Sequence, residues 1–303
     1  MEFNQIETFL SVVKHKSFSK AAKELFLTQP TVSNNIQNLE KELNTTLLDR
    51  KSKTITLTGS GESFYRYAVE LINTRDKAKY DLIRRTGKIE GEVEISASSI
   101  PEQYILPYII KEFTDKHPNV SFNVIHKNSK DVVEDILKGK NNFGIVGAKY
   151  PSDVLEYIDF YQDELVLAVP NNNNYPWPLG EILDFKVLLK QKLILRKEGS
   201  GTRLLIDKGI CNKGIDLDDL NIKYLIDSNE MIKKMIELNL GVSLISKIAV
   251  KNEVDLGLIK CYKIKDIDFK RNFYFVYHRH RTLSPVVETL KNFLINWYGT
   301  KFN

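Results

Sequence analysis

The sequence predicts an α/β chain in three parts: a small helical head, one long helix, and a body of two lobes in which strands and helices alternate. Three observations predict it. Apolar residues recur at helical spacing through the first sixty residues, no Gly or Pro interrupts residues 62–85, and from residue 91 onward short apolar runs alternate with amphipathic helical patterns. With 303 residues, 42% hydrophobic and 27% charged, the chain can bury more than one core and has an ordinary globular composition. Two cysteines, Cys211 and Cys261, without CxxC spacing predict neither a disulfide scaffold nor a cysteine zinc site, and a cytoplasmic location fits. No basic leader precedes an apolar segment at the N-terminus, and no run approaches the ~18 apolar residues of a membrane span. Neither export nor a membrane partner is expected.

The head comes first. Phe3, Ile6, Phe9, Leu10 and Val13 form the stripe of one helix. Ser17 is placed to cap a second, carrying Phe18, Ala21, Ala22 and Leu25, and the two alanines let crossing helices approach closely. Thr28 caps a third, with Pro30 in its first turn where a missing N–H costs nothing. Val32, Ile36, Leu39 and Leu43 step by four, three and four to make its buried stripe. The opposite face, Thr31, Ser33, Asn34, Gln37 and Asn38, has no acid before Glu40. It is either a polar surface or a set of neutral donors and acceptors fit for base edges and phosphates. Asn44 suits the left-handed residue that ends a helix. Leu47-Leu48 and the alternating Ile55, Leu57 then predict a hairpin with Arg50, Lys51 and Lys53 at its tip, a basic wing able to follow a phosphate backbone. Charge agrees: residues 1–90 hold 15 basic and 11 acidic residues, for +4, against 29 and 28, for +1, in residues 91–303. The excess of the whole chain, +5, sits mostly where a polyanion would bind.

These residues carry a resemblance. Ala21, Ala22, Leu25, Thr28, Gln29, Pro30, Ser33, Leu39, Glu40, Leu47, Arg50, Leu57, Thr58 and Gly61 match the winged helix-turn-helix of LysR-type transcriptional regulators, and the resemblance extends along the whole chain. Asn44 stands where that pattern has glycine and Leu48 where it has phenylalanine; both keep the physical role. The resemblance implies that Gln29, Pro30, Thr31, Ser33, Asn34 and Gln37 read the major groove of operator DNA while Arg50, Lys51 and Lys53 hold phosphates. It further implies a sequence-specific regulator, homodimeric or homotetrameric, with RNA polymerase as a further partner.

The long helix, Glu62 to Arg85, has a heptad-like seam of Phe64, Ala68, Leu71, Arg75, Ala78 and Leu82, broken by Arg75. It packs either on its own body or on a partner helix, and the resemblance implies the second. Gly87 and Gly91 are read as a hinge. We therefore expect a DNA-binding domain over 1–60, a linker helix over 61–90 and an effector domain over 91–303, with lobe I at 91–163 and 267–303 and lobe II at 164–266.

In the body, strands are expected at 91–99, 120–126, 141–148, Leu165–Pro170, Leu193–Arg196, Ile222–Ile226, Val242–Ser246 and 271–279. Helices follow Pro101, Ser129, Gly201, Ser228 and Ser284. The βαβαβ order implies parallel sheets with ligands at the carboxyl ends of strands. The same resemblance implies two periplasmic-binding-protein-like lobes with an effector between them. Three strand-to-helix junctions offer N–H groups and hydroxyls: Ser98-Ser99, Ser200-Gly201-Thr202 and Ser228. Ordinary capping explains some of these. In "LRKEGSGTR", Gly199 and Gly201 point either to backbone approach to a ligand or to a tight turn. Ser98, Ser99, Ser200, Gly201, Thr202 and Ser228 are the expected contacts of a small anion, with Gly147 leaving space. The "RKEGSGTR" form resembles a branch that controls sulfur or selenium assimilation and carbon fixation, which implies sulfur oxyanions or phosphorylated metabolites.

An enzyme finds little support. The glycine loop lacks the GK[ST] ending of a phosphate loop and the third glycine of a dinucleotide fingerprint. His278 and His280 would share a strand face, but no carboxylate or cysteine lies beside them to complete a metal set. No catalytic residue, metal or cofactor is expected. A solute receptor without DNA function, or an enzyme on the same two-lobed fold, are the alternatives.

Overall fold

A computed structural model describes residues 1–50, 55–83 and 89–297; Lys51, Lys53 and Gly87 lie outside them. The chain forms two compact units. The first comprises 1–89 with short segments 138–142 and 280–288, and the second holds 90–137, 143–279 and the C-terminal stretch from 289.

In the first unit, α1 (Phe3–His15), α2 (Phe18–Glu24) and α3 (Gln29–Glu42) pack around Ile6, Phe9, Val12, Ala21, Ala22, Val32, Ile36 and Leu39. Phe3, read as part of the buried stripe, is exposed, and Val12 takes a place inside. The caps fall where the sequence puts them: Ser17 accepts from Lys20 N–H and Thr28 from Thr31 N–H. α2 and α3 each end on a left-handed residue, Phe26 (φ 55°) and Asn44 (φ 48°). In both, the next N–H reaches back a full turn, Leu27 to Ala22 O and Thr45 to Glu40 O, closing paired C-terminal hydrogen bonds. Strands β1 (Leu48–Asp49) and β2 (Thr56–Leu57) make the antiparallel wing. Helix α4 (Gly59–Ile83) runs for 25 residues. Its first turns pack at home: Ala68 is buried, and Phe64 meets Phe9 edge to face at 5.2 Å. Further along, Leu71, Ala78 and Leu82 are exposed, so the seam is half spent on this unit. Arg75 leaves the seam to pair with Glu7 at 2.8 Å and lie over Phe3.

The second unit holds two lobes. In lobe I, β3 (Glu90–Ser98) pairs in parallel with β4 (Asn119–Lys127) and β5 (Phe143–Val146), while β12 (Lys270–His278) is antiparallel to β5 and to the first part of β6 (Leu155–Pro170). Helices α5 (Leu106–Lys116), α6 (Ser129–Leu137) and α10 (Pro285–Asn296) cover this sheet, and one π turn, Pro101–Ile105, leads into α5. β6 then crosses. Residues 155–164 pair with β12, whereas 165–170 pair with β10 (Ser243–Ser246) and β11 (Ile259–Ile264) of lobe II. β8 (Leu193–Arg196) and β9 (Ile222–Ile226) run parallel, β8 meets residue 242 before β10, and β7 (Ile182–Leu183) borders β11. Helices α7 (Gly201–Cys211), α8 (Asn229–Glu237) and short α9 (Lys251–Asp255) complete the lobe. Its core is Leu165, Leu167, Val169, Leu193, Leu195, Ile206, Leu244 and Tyr262, with Trp177 packed on Tyr262 at 5.4 Å.

Three sequence readings differ from this. The strand expected at Leu165–Pro170 begins ten residues earlier, at Leu155, because residues 155–164 pair with β12. β11 is absent from the expected strands because the polar residues Lys260 and Lys263 interrupt its apolar pattern. Gly91 is not hinge but strand, paired with Val120.

Candidate functional site

The reading helix α3 carries its predicted residues outward. Gln29, Pro30, Thr31, Asn34 and Gln37 are exposed and Ser33 is half-buried, while Val32, Ile36 and Leu39 face the core. Gln29 accepts from Ser19 Oγ at 2.9 Å, which orients its amide. Arg50 is less free than the sequence suggested: it pairs with Glu40 at 3.0 Å and lies over Phe18 at 5.1 Å. Glu40 also accepts from Leu47 N–H at 2.8 Å and Leu48 N–H at 3.2 Å, so one carboxylate fastens the wing to α3.

In the second unit, strand ends and helix starts from both lobes meet in one cavity. It is lined by Ser98, Ser99, Ile100, Pro101, Asn128, Ser129, Gly147, Arg196, Ser200, Gly201, Thr202, Arg271 and Phe273. Six of the seven residues expected to contact an effector lie there, namely Ser98, Ser99, Gly147, Ser200, Gly201 and Thr202. Ser228 does not. Its hydroxyl caps α8 by accepting from Met231 N–H at 3.2 Å. Ser200, by contrast, sits at the N-cap of α7 without a side-chain capping bond. The two glycines of the loop divide the roles left open for them. Gly199 takes φ +83° in the turn, while a Cβ on Gly201 would lie 2.9 Å from the Gly147 carbonyl carbon and oxygen. The close approach is thus backbone to backbone, lobe II to lobe I.

Two arginines organise the cavity. Arg271 of β12 is fixed to Asp163 through Nε (2.9 Å) and Nη2 (2.8 Å), and its Nη1 donates to Thr202 Oγ1 at 3.0 Å. Asp163 takes a further hydrogen bond from Ser246 Oγ at 2.8 Å, so its charge is spent. Arg196, only 4% exposed, has no such counter-ion among the described residues. Nη1 donates to Asn229 Oδ1 at 2.9 Å and Nη2 to Ser99 Oγ at 3.1 Å, joining the lobes. Nε has no partner, and neither do Ser98 Oγ and Asn229 Nδ2. Burial holds the Arg196 guanidinium below its usual pKa, opposed by the nearby Asp227 carboxylate and reinforced by the charge of Arg271. Unpartnered buried donors beside a cation with no carboxylate in hydrogen-bond contact are costly alone and favourable around an anion. Sequence reasoning missed both arginines as site residues. Arg196 ends an apolar strand and Arg271 begins one, but the partner of Arg271 lies 108 residues away.

No histidine, cysteine or carboxylate lines the cavity among the described residues, so it holds no evident general base. Cys261 lies elsewhere, and burial pushes its thiol up to about 12, away from reactivity. No helix among the described residues is long and apolar enough to cross a membrane.

Comparison with known proteins finds family matches along both parts of the chain. The LysR substrate binding domain matches residues 86–299, and the bacterial regulatory helix-turn-helix of the LysR family matches residues 3–62. An HTH-type transcriptional regulator of Methanocaldococcus jannaschii is 34% identical over 97% of this chain and 98% of its own length. The HTH-type transcriptional regulator CysL of Bacillus subtilis is 28% identical over 96% of this chain and 94% of its own. Among solved structures, a full-length OxyR from Pseudomonas aeruginosa superposes with a TM-score of 0.78 at 17% identity, covering 99% of this chain and 98% of that one. Regulators of this family bind DNA and small-molecule effectors. With a helix-turn-helix head, a linker helix and a two-lobed effector domain, this chain belongs to the LysR family of DNA-binding transcriptional regulators.

Proposed function

We propose that this regulator senses a small anion between its two lobes and reads an operator with α3. The observation that carries the anion reading is Arg196, a buried guanidinium with no carboxylate partner among the described residues and one unpartnered N–H. Such a group lowers its energy by taking an anion that touches both lobes through Ser99, Ser200 and Thr202. Binding then favours the closed arrangement of the lobes, because only there do all these donors converge. Arg271 and Arg196 already join the lobes by hydrogen bonds, so the ligand adds to an existing latch.

On DNA, Gln29, Thr31, Ser33, Asn34 and Gln37 supply the base-reading face, with Pro30 shaping its start. Arg50, together with Lys51 and Lys53, supplies the charges that hold the phosphates. The exposed Leu71, Ala78 and Leu82 of α4 form half a seam, which a second copy of the chain would complete as a homodimer or, pairwise, a homotetramer. RNA polymerase is the natural downstream partner, and the cytoplasm the place of action.

Two experiments test the two halves. Gln29→Ala should weaken binding to the chain's own upstream region far more than binding to random DNA; equal losses refute base readout. In parallel, a thermal-shift screen of small anions should give a stabiliser whose effect disappears in Arg196→Met, and a shift that survives the substitution removes Arg196 from the site.

A further inference from the structure

We propose that the second unit carries another ligand site, a cavity on the far side of the crossing strands that takes an apolar molecule bearing one negative charge. It is separate from the cavity of Arg196 and stands independently of the anion reading. β12 carries the two cavities on its opposite faces. Arg271 and Phe273 line the first, whereas Lys270 and Asn272 line the second, one step along a strand whose side chains alternate. Both lobes build it: Phe160, Asn272 and Trp297 belong to lobe I, and Lys247, Val250 and Cys261 to lobe II. Its volume is about 850 Å³, within the range that holds small organic ligands. The first cavity, at about 10 Å³, has room for about one water.

The walls call for an apolar body. Phe160, Val250 and Trp297 are buried side chains whose remaining surface faces the cavity, and Val254 and Ile295 stay 38% and 49% exposed beside them. Apolar groups from β6, from α9 and the residue before it, and from α10 thus converge on one space. Covering them with a hydrophobic ligand removes apolar surface of both from water. Burial keeps the Cys261 thiol protonated, so it adds no charge.

The charges of the lining call for a single negative group. Its carboxylates are Asp159, Asp163, Glu164 and Asp255. Asp163 is matched by Arg271 at 2.8 Å and Glu164 by Lys263 at 3.0 Å. Asp159 takes one long hydrogen bond, 3.4 Å from Asn272 Nδ2, and Asp255 makes no ion pair among the described residues. Against these two stand three lysines, Lys247, Lys251 and Lys270, which also make none. Lys270 lies across the strand pair from Glu164, but that carboxylate already holds Lys263. Three positive charges against two negative leave one in excess, which a carboxylate or sulfonate on the ligand balances and an ammonium group would increase.

The test is titration of the full chain with 4-phenylbutyrate, 4-phenylbutyramide and 4-phenylbutylamine, which share one apolar body and are anionic, neutral and cationic at neutral pH. Trp297 is the reporter. The chain has two tryptophans, so Trp177→Phe leaves Trp297 alone, and calorimetry of the unaltered chain measures the same affinities without that substitution. Phenylbutyrate should change the Trp297 emission and bind about fivefold more tightly than the amide, with the amine weaker still. Ile295→Glu, at a half-exposed helix position, should weaken phenylbutyrate about tenfold. Lys247→Glu combined with Lys251→Glu should erase its advantage over the amide, and this variant serves if the first does not fold. Binding of none of the three compounds overturns the inference. So does binding that survives Ile295→Glu and is lost in Arg196→Met, which would put the compound in the first cavity. An amide or amine that binds as tightly as the acid overturns the ligand class. Affinity that falls as the protein concentration is raised would give the cavity to a second copy of the chain and overturn the site. None of these outcomes touches the anion reading, whose own test is the loss of anion stabilisation in Arg196→Met.

Discussion

Adding one methyl group at Gly201 addresses the contact that holds the lobes together. A Cβ there would stand 2.9 Å from the carbonyl carbon and oxygen of Gly147 and 3.2 Å from Ala148 Cβ. Non-bonded heavy atoms settle at ~3.5–4.0 Å, so the backbone of one lobe must retreat by at least about 0.5 Å, and neither neighbour is a flexible side-chain tip. Overpacking of this kind costs ~1–3 kcal/mol. Alanine returns part of that, since glycine in a helix costs up to ~1 kcal/mol, and the net loss expected for Gly201→Ala is ~1–2 kcal/mol. For a unit of this size each kcal/mol lowers Tm by about 2–4 °C, which predicts a fall of about 2–8 °C in calorimetry of the ligand-free chain. Where the variant relieves the clash by parting its lobes, a stabilising anion must bring them together again and binds more weakly, by the share of the cost that does not show in the ligand-free Tm. An unchanged or raised Tm would refute the close approach, and with it the explanation of the second glycine of "EGSGTR".

Three further outcomes are expected in the DNA-reading unit. Glu40→Ala removes the acceptor shared by Leu47 N–H, Leu48 N–H and Arg50; urea unfolding should show a loss of ~2–3 kcal/mol, with the wing the first region to gain amide exchange. Phe26 is 96% exposed with φ 55°, so Phe26→Asn should relieve left-handed strain and raise stability by about 1 kcal/mol; a loss would mean that the ring makes contacts the structure does not display. Glu24 sits below its usual carboxylate pKa: burial raises it, but hydrogen bonds from Ser11 and Lys14 and the charges of Lys14 and His15 outweigh that. Its contribution is therefore full above the unfolded value of about 4.5 and lost as pH falls through the lower folded value. Glu24→Gln should flatten the acid limb of the stability curve below pH 5, and an unaltered limb would exclude the carboxylate as its source.

How much of this was legible depends on the range of the interactions. The caps at Ser17 and Thr28, the left-handed Asn44, the apolar stripe of α3 and the outward polar face are local events, each set by a residue and its neighbours within one helical turn. The sequence alone determined them, along with the family-like spacing of the head and the alternation that makes the body α/β. It also determined that hydroxyl-rich helix starts exist at Ser98-Ser99 and Ser200-Thr202. Ser228 has the same local pattern and ends as a cap, its hydroxyl accepting from Met231 N–H, while its neighbour Asn229 is the residue that meets Arg196. What joins Arg196 to Ser99, 97 residues earlier in the chain, and Arg271 to Asp163, 108 residues earlier, is the crossing of β6 from lobe I to lobe II, with β12 paired along its first half. That crossing decides which arginine receives a carboxylate and which is left with an unpartnered N–H. Burial then makes the difference matter, since an uncompensated charge is cheap in water and expensive inside a protein. The loop "LRKEGSGTR" showed where an anion could sit; only the tertiary structure supplied the cation that would hold it.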